Sequence, residues 1–166
     1  MENTNLRNQQ FTGLQEFAQE PRWVNYSASK IPVNPLTLYN GSSTNPKTWT
    51  GLATALSNLG KTAHVSTGDE PILGVGIVLG NGLCGIDLDD VVGEDGAIEP
   101  FAQEIIEIMD TYTELSPSGR GLHILFIGRC PVVSRKVTVD GKSRELYTEK
   151  RFLTCTGNVV AGRGFV

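Results

Sequence analysis

The chain has 166 residues, 39% hydrophobic content, 19 Gly, 8 Pro and a net charge of −4. That length can bury a continuous core in one domain, and the composition suits a loop-rich α+β protein. No apolar run approaches the ~20 residues of a membrane helix, and "MENTNLRNQQ" is too polar for a secretion signal. Cys84, Cys130 and Cys155 are scattered, odd in number and free of C-x-x-C spacing, so a reduced cytoplasmic protein without zinc or disulfides is expected.

The charge is unevenly spread. Residues 1–114 carry 5 Lys and Arg against 15 Asp and Glu (net −10), and residues 115–166 carry 9 against 3 (net +6). An acidic segment followed by a basic one fits a site that gathers cations and polyanions together, with ordinary solvated surface charge as the plain alternative.

In chain order, "QQFTGLQEFAQ" (9–19) has weak helical spacing and is closed by Pro21. "RWVNYSA" (22–28) alternates like a strand. "KIPVNPLTLYNGSSTNPKTWT" predicts a long ordered loop, a feature often tied to function. Thr50 is the expected N-cap of a helix through "GLATALSNL", ended by Gly60. "ILGVGIVLGNGLCGIDLDD" predicts a β-hairpin turning at Asn81-Gly82. A helix over "EPFAQEIIEIMDTY" follows, with Pro100 in its first turn and Phe101, Ile105, Ile108 and Met109 as its apolar residues. "GLHILFIG", "RKVTVDGKSRELYT" and "RFLTCTG" predict further strands, with a hairpin turn at Asp140-Gly141. The order β-β-α-β-β-β indicates an antiparallel or mixed sheet with helices against it.

The chemistry concentrates first in "GIDLDD" (85–90). On a strand, Asp87 and Asp89 face one side while Ile86 and Leu88 face the core. Their Cα atoms are then roughly 6.5 Å apart, close enough for both carboxylates to grip a cation. Hard oxygen donors of this kind suit Mg²⁺ or Mn²⁺. From Asp87 to Glu114 there are ten acids and no Lys or Arg, so no local base is available to pair them. Asp90 is expected to cap a turn. Glu145 in "SRELYT" is the best third carboxylate, with Tyr147 on its side of the strand and Leu146 buried; Glu149 is a surface or turn charge.

"SPSGRGLHI" (116–124) places Ser116, Ser118, Gly119, Arg120, Gly121 and His123 before an apolar strand. Such a loop can offer backbone N–H groups, hydroxyls and a guanidinium to phosphate oxygens, and His123 can donate a further hydrogen bond. A tight turn is the plain alternative. The G-x-x-x-x-G-K-[ST] pattern and a G-x-S-x-G elbow are both absent. His64 has no motif around it.

Taken together, "GIDLDD", "SPSGRGLHI" and "ELYTEKRFLTCTGN" resemble the archaeo-eukaryotic primase superfamily, and most of all the primase–polymerase (prim-pol) domains of phages and plasmids. The family's hhhDhD strand, its motif ending in a histidine before a strand, and its third acidic motif map onto Asp87 and Asp89, His123, and Glu145. "RWVNYSASKIPVNP" and "NPKTWTGLATAL" look like the family's N-terminal segments, extending the likeness over about residues 22–158. Where the family commonly has S-x-H, position 121 is Gly, so the phosphate contact would come from backbone or from Ser116 and Ser118. The chain stops at "GRGFV", where relatives often continue into further helices and a helicase domain. That leaves open whether residues 1–166 are the N-terminal part of a longer replication protein.

The resemblance implies an α+β fold, with an RRM-like mixed or antiparallel catalytic sheet joined to an N-terminal α/β unit in one compact domain. It implies a DNA primase or polymerase that condenses dNTP or NTP on a single-stranded DNA template. Asp87, Asp89 and Glu145 would hold two Mg²⁺ or Mn²⁺ ions. His123 would hold the triphosphate with the 116–121 loop, and Arg151 and Lys30 are further candidate contacts. A helicase domain or protein is the implied partner, and no membrane is involved. Two other readings stay open: a metal-dependent nuclease, and a non-catalytic nucleotide or nucleic-acid binding module.

Overall fold

A computed structural model describes residues 10–161; the polar start of the chain and its "GRGFV" end lie outside the described residues. The strands are β1 (Trp23–Ser27), β2 (Pro32–Val33), β3 (Thr62–Val65), β4 (Gly68–Val78), β5 (Leu83–Leu88), β6 (Thr113–Leu115), β7 (Leu122–Ile127), β8 (Ser134–Val139), β9 (Lys142–Tyr147), β10 (Phe152–Cys155) and β11 (Val159–Ala161). Among the described residues they are accompanied by the α-helices α1 (Leu52–Leu56) and α2 (Pro100–Met109) and by 3-10 turns. The fold is thus α+β, with mostly antiparallel strands in two sheets and few helices. No helix among the described residues is long and apolar enough to cross a membrane.

The chain divides into two units. The first holds the residues up to Val78 and Lys150–Cys155; the second holds Leu79–Glu149 and the residues from Thr156 on. The first unit's sheet runs β10-β4-β1-β2, with β3 also paired to β4. β1 is buried along its whole length rather than on alternate residues. Trp23 is sealed in by an edge-on contact with Phe11 and a 2.8 Å hydrogen bond from Nε1 to the Phe17 carbonyl. The buried Asn25 side chain donates to the Ala55 and Gly74 carbonyls and accepts from Asn58, so its polar atoms are satisfied rather than stranded.

Several local expectations are corrected here. The 9–19 segment is a 3-10 helix at Thr12–Phe17. Thr50 does not cap α1: its backbone exchanges two hydrogen bonds with Trp23, and Gly51 takes the N-cap position. The long loop contains β2 and a 3-10 turn at Pro46–Thr48, the latter capped by the Asn45 side chain. Asn81-Gly82 does turn tightly, with both φ angles positive and Gly80 and Leu83 exchanging hydrogen bonds. Beyond that one bridge, however, β4 and β5 enter different sheets, so they are not a hairpin. The glycines of "ILGVGIV" have a packing cause instead. A Cβ on Gly74 would lie 2.5 Å from the Tyr26 ring, and one on Gly76 would strike the Phe152 ring and come within 3.0 Å of the Leu153 carbonyl.

The second unit is one antiparallel sheet of order β11-β6-β7-β5-β9-β8. β8 and β9 are joined by the expected Asp140-Gly141 turn, again with positive φ at both residues. One face packs on α2: Leu88, Leu122 and Ile124 cluster with Ala102 and Ile106, and Ile86, Phe101, Ile105 and Met109 add to them. Ile108 is not in that cluster; it is 72% exposed, because the helix turns the 102/106 stripe inward.

Gly76→Ala should therefore destabilise the first unit by about 1–3 kcal/mol through overpacking. Urea unfolding checks this, and an unchanged midpoint would show that the Phe152 ring moves aside freely.

Candidate functional site

Directly opposed residues of antiparallel strands present their side chains on the same face. Glu114 of β6 lies opposite His123 of β7, which lies opposite Asp87 of β5. Asp87 in turn lies opposite Glu145 of β9, and Glu145 opposite Lys136 of β8. One row across five strands therefore reads Glu114, His123, Asp87, Glu145, Lys136. It occupies the face away from α2.

The row is electrostatically connected. His123 Nε2 is 3.6 Å from Asp87 Oδ1, and His123 Nδ1 is 3.6 Å from Glu114 Oε1. Lys136 Nζ donates to Glu145 Oε1, which also accepts from Ser143 Oγ at 2.8 Å. Glu145's hydrogen bond and charge, with smaller help from Asp89 and Asp87, hold the Lys136 ammonium above the usual lysine range. The bases that balance the acidic stretch thus come from distant strands, where a local search along the chain could not find them.

Asp89 follows the last residue of β5, and its N–H donates to the Ser143 carbonyl at 3.0 Å, carrying the β5–β9 pairing one step further. Asp90 leaves the strand in a turn with φ +53°, but its carboxylate ion-pairs with Arg120 at 3.2 Å instead of capping a backbone N–H as expected. Tyr147 is buried two residues from Glu145, and Leu146 is half-buried opposite Ile86.

The 116–121 loop joins β6 to β7. The Ser116 N–H donates to the Gly121 carbonyl and the Ser116 carbonyl accepts from the Gly119 N–H, and Gly119 has φ +73°. Ser116 Oγ accepts from the Gly121 N–H at 3.1 Å and lies 3.1 Å from Ser118 Oγ; Ser118 Oγ accepts from the Arg120 N–H. A Cβ at position 121 would sit 2.7 Å from the Leu88 carbonyl and 3.0 Å from Ser116 Oγ. That contact leaves no room for a side chain at position 121, because the Leu88 carbonyl is backbone and cannot move aside cheaply. Ser118, Gly119 and Arg120 are exposed. Lys30 and Arg151 belong to the first unit and are not part of this sheet.

Glu114 is the residue that sequence reasoning passed over. It is fully buried, and its carboxylate accepts hydrogen bonds from the Tyr112 hydroxyl (2.7 Å) and the N–H groups of Thr156 (3.0 Å) and Gly157 (2.9 Å). The available signal was the strand-like "TYTEL", hidden as the last of ten acids. Among the described residues, no three His, Cys, Asp or Glu side chains form a ready-made metal cluster. The donors present are nevertheless the right kind for a hard cation, and a lysine ammonium already occupies one of them.

No family model matches the chain. It is nonetheless similar, along most of its own length, to a phage primase-polymerase. That relative is the DNA primase-polymerase of Nitratiruptor phage NrS-1, 34% identical over an alignment of 155 residues that covers 90% of this chain and 20% of the relative. The chain spans about one fifth of the relative's length.

Gly121→Ala should disturb the β6–β7 loop, because the Leu88 carbonyl cannot yield as a flexible side chain would. Amide exchange should rise at Ser116 and Gly121 relative to wild type; unchanged protection would mean the loop tolerates a side chain there.

Proposed function

We propose that the chain is the nucleotidyl-transferring domain of a primase-polymerase, adding dNTP or NTP to a strand templated by single-stranded DNA. The single observation that carries this reading is the in-register row, which sets a histidine and two carboxylates side by side on the sheet face away from α2. In this reading the six-stranded sheet is the RRM-like catalytic sheet, and the first unit is the N-terminal α/β unit.

Asp87, Asp89 and Glu145 would hold Mg²⁺ or Mn²⁺, and Lys136 would leave Glu145 as they do. Bound divalent ions supply charge neutralisation for the attacking 3′-hydroxyl and the leaving pyrophosphate. His123, on the neighbouring strand, would donate to a triphosphate oxygen. Ser116, Ser118 and the N–H groups of Gly119 to Gly121 would hold the phosphate tail, with Arg120 released from Asp90 to add its guanidinium. Lys30 and Arg151 are candidate contacts to the nucleotide or template. The basic residues after position 114 would take the template backbone, with binding that weakens as salt rises. A helicase domain or protein is the proposed partner in replication.

Incubation with Mn²⁺, labelled dNTP and primed single-stranded DNA tests the reading. Extension supports it, degradation of the DNA would indicate a nuclease, and binding without product would indicate a binding module. Asp87→Ala should cut incorporation by about 100-fold or more, while Asp90→Ala should do far less. His123→Ala should raise the nucleotide KM by about tenfold while template affinity stays unchanged; equal loss of both would indicate a structural histidine. Lys136→Met should tighten Mn²⁺ binding in calorimetry without nucleotide, because it removes the competing cation at Glu145. Weaker Mn²⁺ binding in that variant would remove Glu145 from the ligand set.

A further inference from the structure

Both ring nitrogens of His123 face a carboxylate, but the two carboxylates are held very differently. The Asp87 side chain is 25% exposed, whereas Glu114 has none of its side chain exposed. The Glu114 carboxylate accepts from the Tyr112 hydroxyl, the Thr156 N–H and the Gly157 N–H, and His123 Nδ1 lies 3.6 Å from its Oε1. The segment that supplies two of these donors is itself pinned. Thr156 Oγ1 donates to the Leu115 carbonyl at 2.7 Å, and the Leu115 N–H donates to the Asn158 carbonyl at 2.9 Å. Gly157 holds φ +71°, a conformation that favours glycine and aims its N–H at Glu114. The "TGN" that follows β10 thus has a structural purpose: it fixes an acceptor behind the histidine.

We propose that Glu114 is a positioning residue for His123, accepting from Nδ1–H so that Nε2 is the nitrogen turned to the Asp87 side; with the ring protonated there as well, Nε2–H is the donor to a bound phosphate. A buried, immobile acceptor on one ring nitrogen determines which nitrogen carries the proton and how the ring is turned. The 3.6 Å separation is ion-pair reach rather than a tight hydrogen bond, and such contacts often close when a ligand engages the opposite side. Glu114 touches no substrate in this scheme and acts only through the histidine. The phosphate part rests on the nucleotidyl-transfer reading; the ring orientation does not.

The test is nitrogen NMR of the imidazoles in the full chain, which has only two histidines, His64 and His123. His64→Gln assigns the signals. In alkaline buffer, wild-type His123 should carry its proton on Nδ1, and Glu114→Gln should shift the ring toward the Nε2–H form. In nucleotide incorporation the same variant should raise the nucleotide KM by about tenfold with kcat little changed. If Glu114→Gln fails to fold, the wild-type tautomer and Tyr112→Phe decide. Tyr112→Phe removes one donor from Glu114 and should move the His123 Nδ1 resonance. A wild-type His123 protonated on Nε2, or a ring spectrum unmoved by these variants, overturns the proposal. If the ring responds as stated while the wild type incorporates no nucleotide, the positioning role stands and the nucleotidyl-transfer reading falls.

Discussion

The chemistry of this sheet depends on strand register. Side chains alternate between faces, so a slip of one residue in β5 would carry Asp87 to the α2 side and Ile86 to the opposite side. What prevents the slip is apolar packing: Ile86, Leu88, Leu122 and Ile124 are held against α2 by Ala102 and Ile106. The buried half of each strand therefore sets the position of its polar half. Five residues scattered from position 87 to position 145 become neighbours because hydrophobic burial, which has no interest in their charge, locks the strands that carry them. In the resulting order of acid, imidazole, acid, acid and ammonium, the imidazole lies between Glu114 and Asp87 and the ammonium pairs with Glu145, so the two adjacent acids are each flanked by a nitrogen base on their other side.

Much of this was legible in the sequence for a physical reason. The period of two in "GIDLDD" and the apolar run of "LHILFI" are local signals, and local signals survive into strands β5 and β7. Asp140-Gly141 encodes its own turn, because both residues accept positive φ. What was not legible is pairing at a distance. Asn81-Gly82 encodes a turn equally well, yet nothing in the dipeptide says whether the strands that leave it stay together, and here they part into two sheets. Thr50 has the side chain of a cap, but its backbone is claimed by Trp23. Glu114 was invisible because its significance lies in Tyr112, Thr156 and Gly157, two of them more than forty residues away.

Glycine does two different jobs along the chain. At Gly74, Gly76 and Gly121 it makes room, for an aromatic ring in the first two cases and for a carbonyl and a hydroxyl in the third. At Gly119 and Gly157 it supplies a backbone angle. Both uses converge on the histidine. Gly121 lets the loop close tightly two residues before His123, and Gly157 turns an N–H onto the acid behind it. A glycine-rich reading of this sequence as flexible would miss that the described glycines near the site are points of close fit.

Anomalous scattering from a crystal soaked in Mn²⁺ tests the central claim most directly. The account predicts a peak bounded by Asp87, Asp89 and Glu145, with the Lys136 ammonium displaced from Glu145 and His123 still lying between Asp87 and Glu114. A map with no manganese at these carboxylates, and Lys136 still seated on Glu145 at saturating metal, would contradict it.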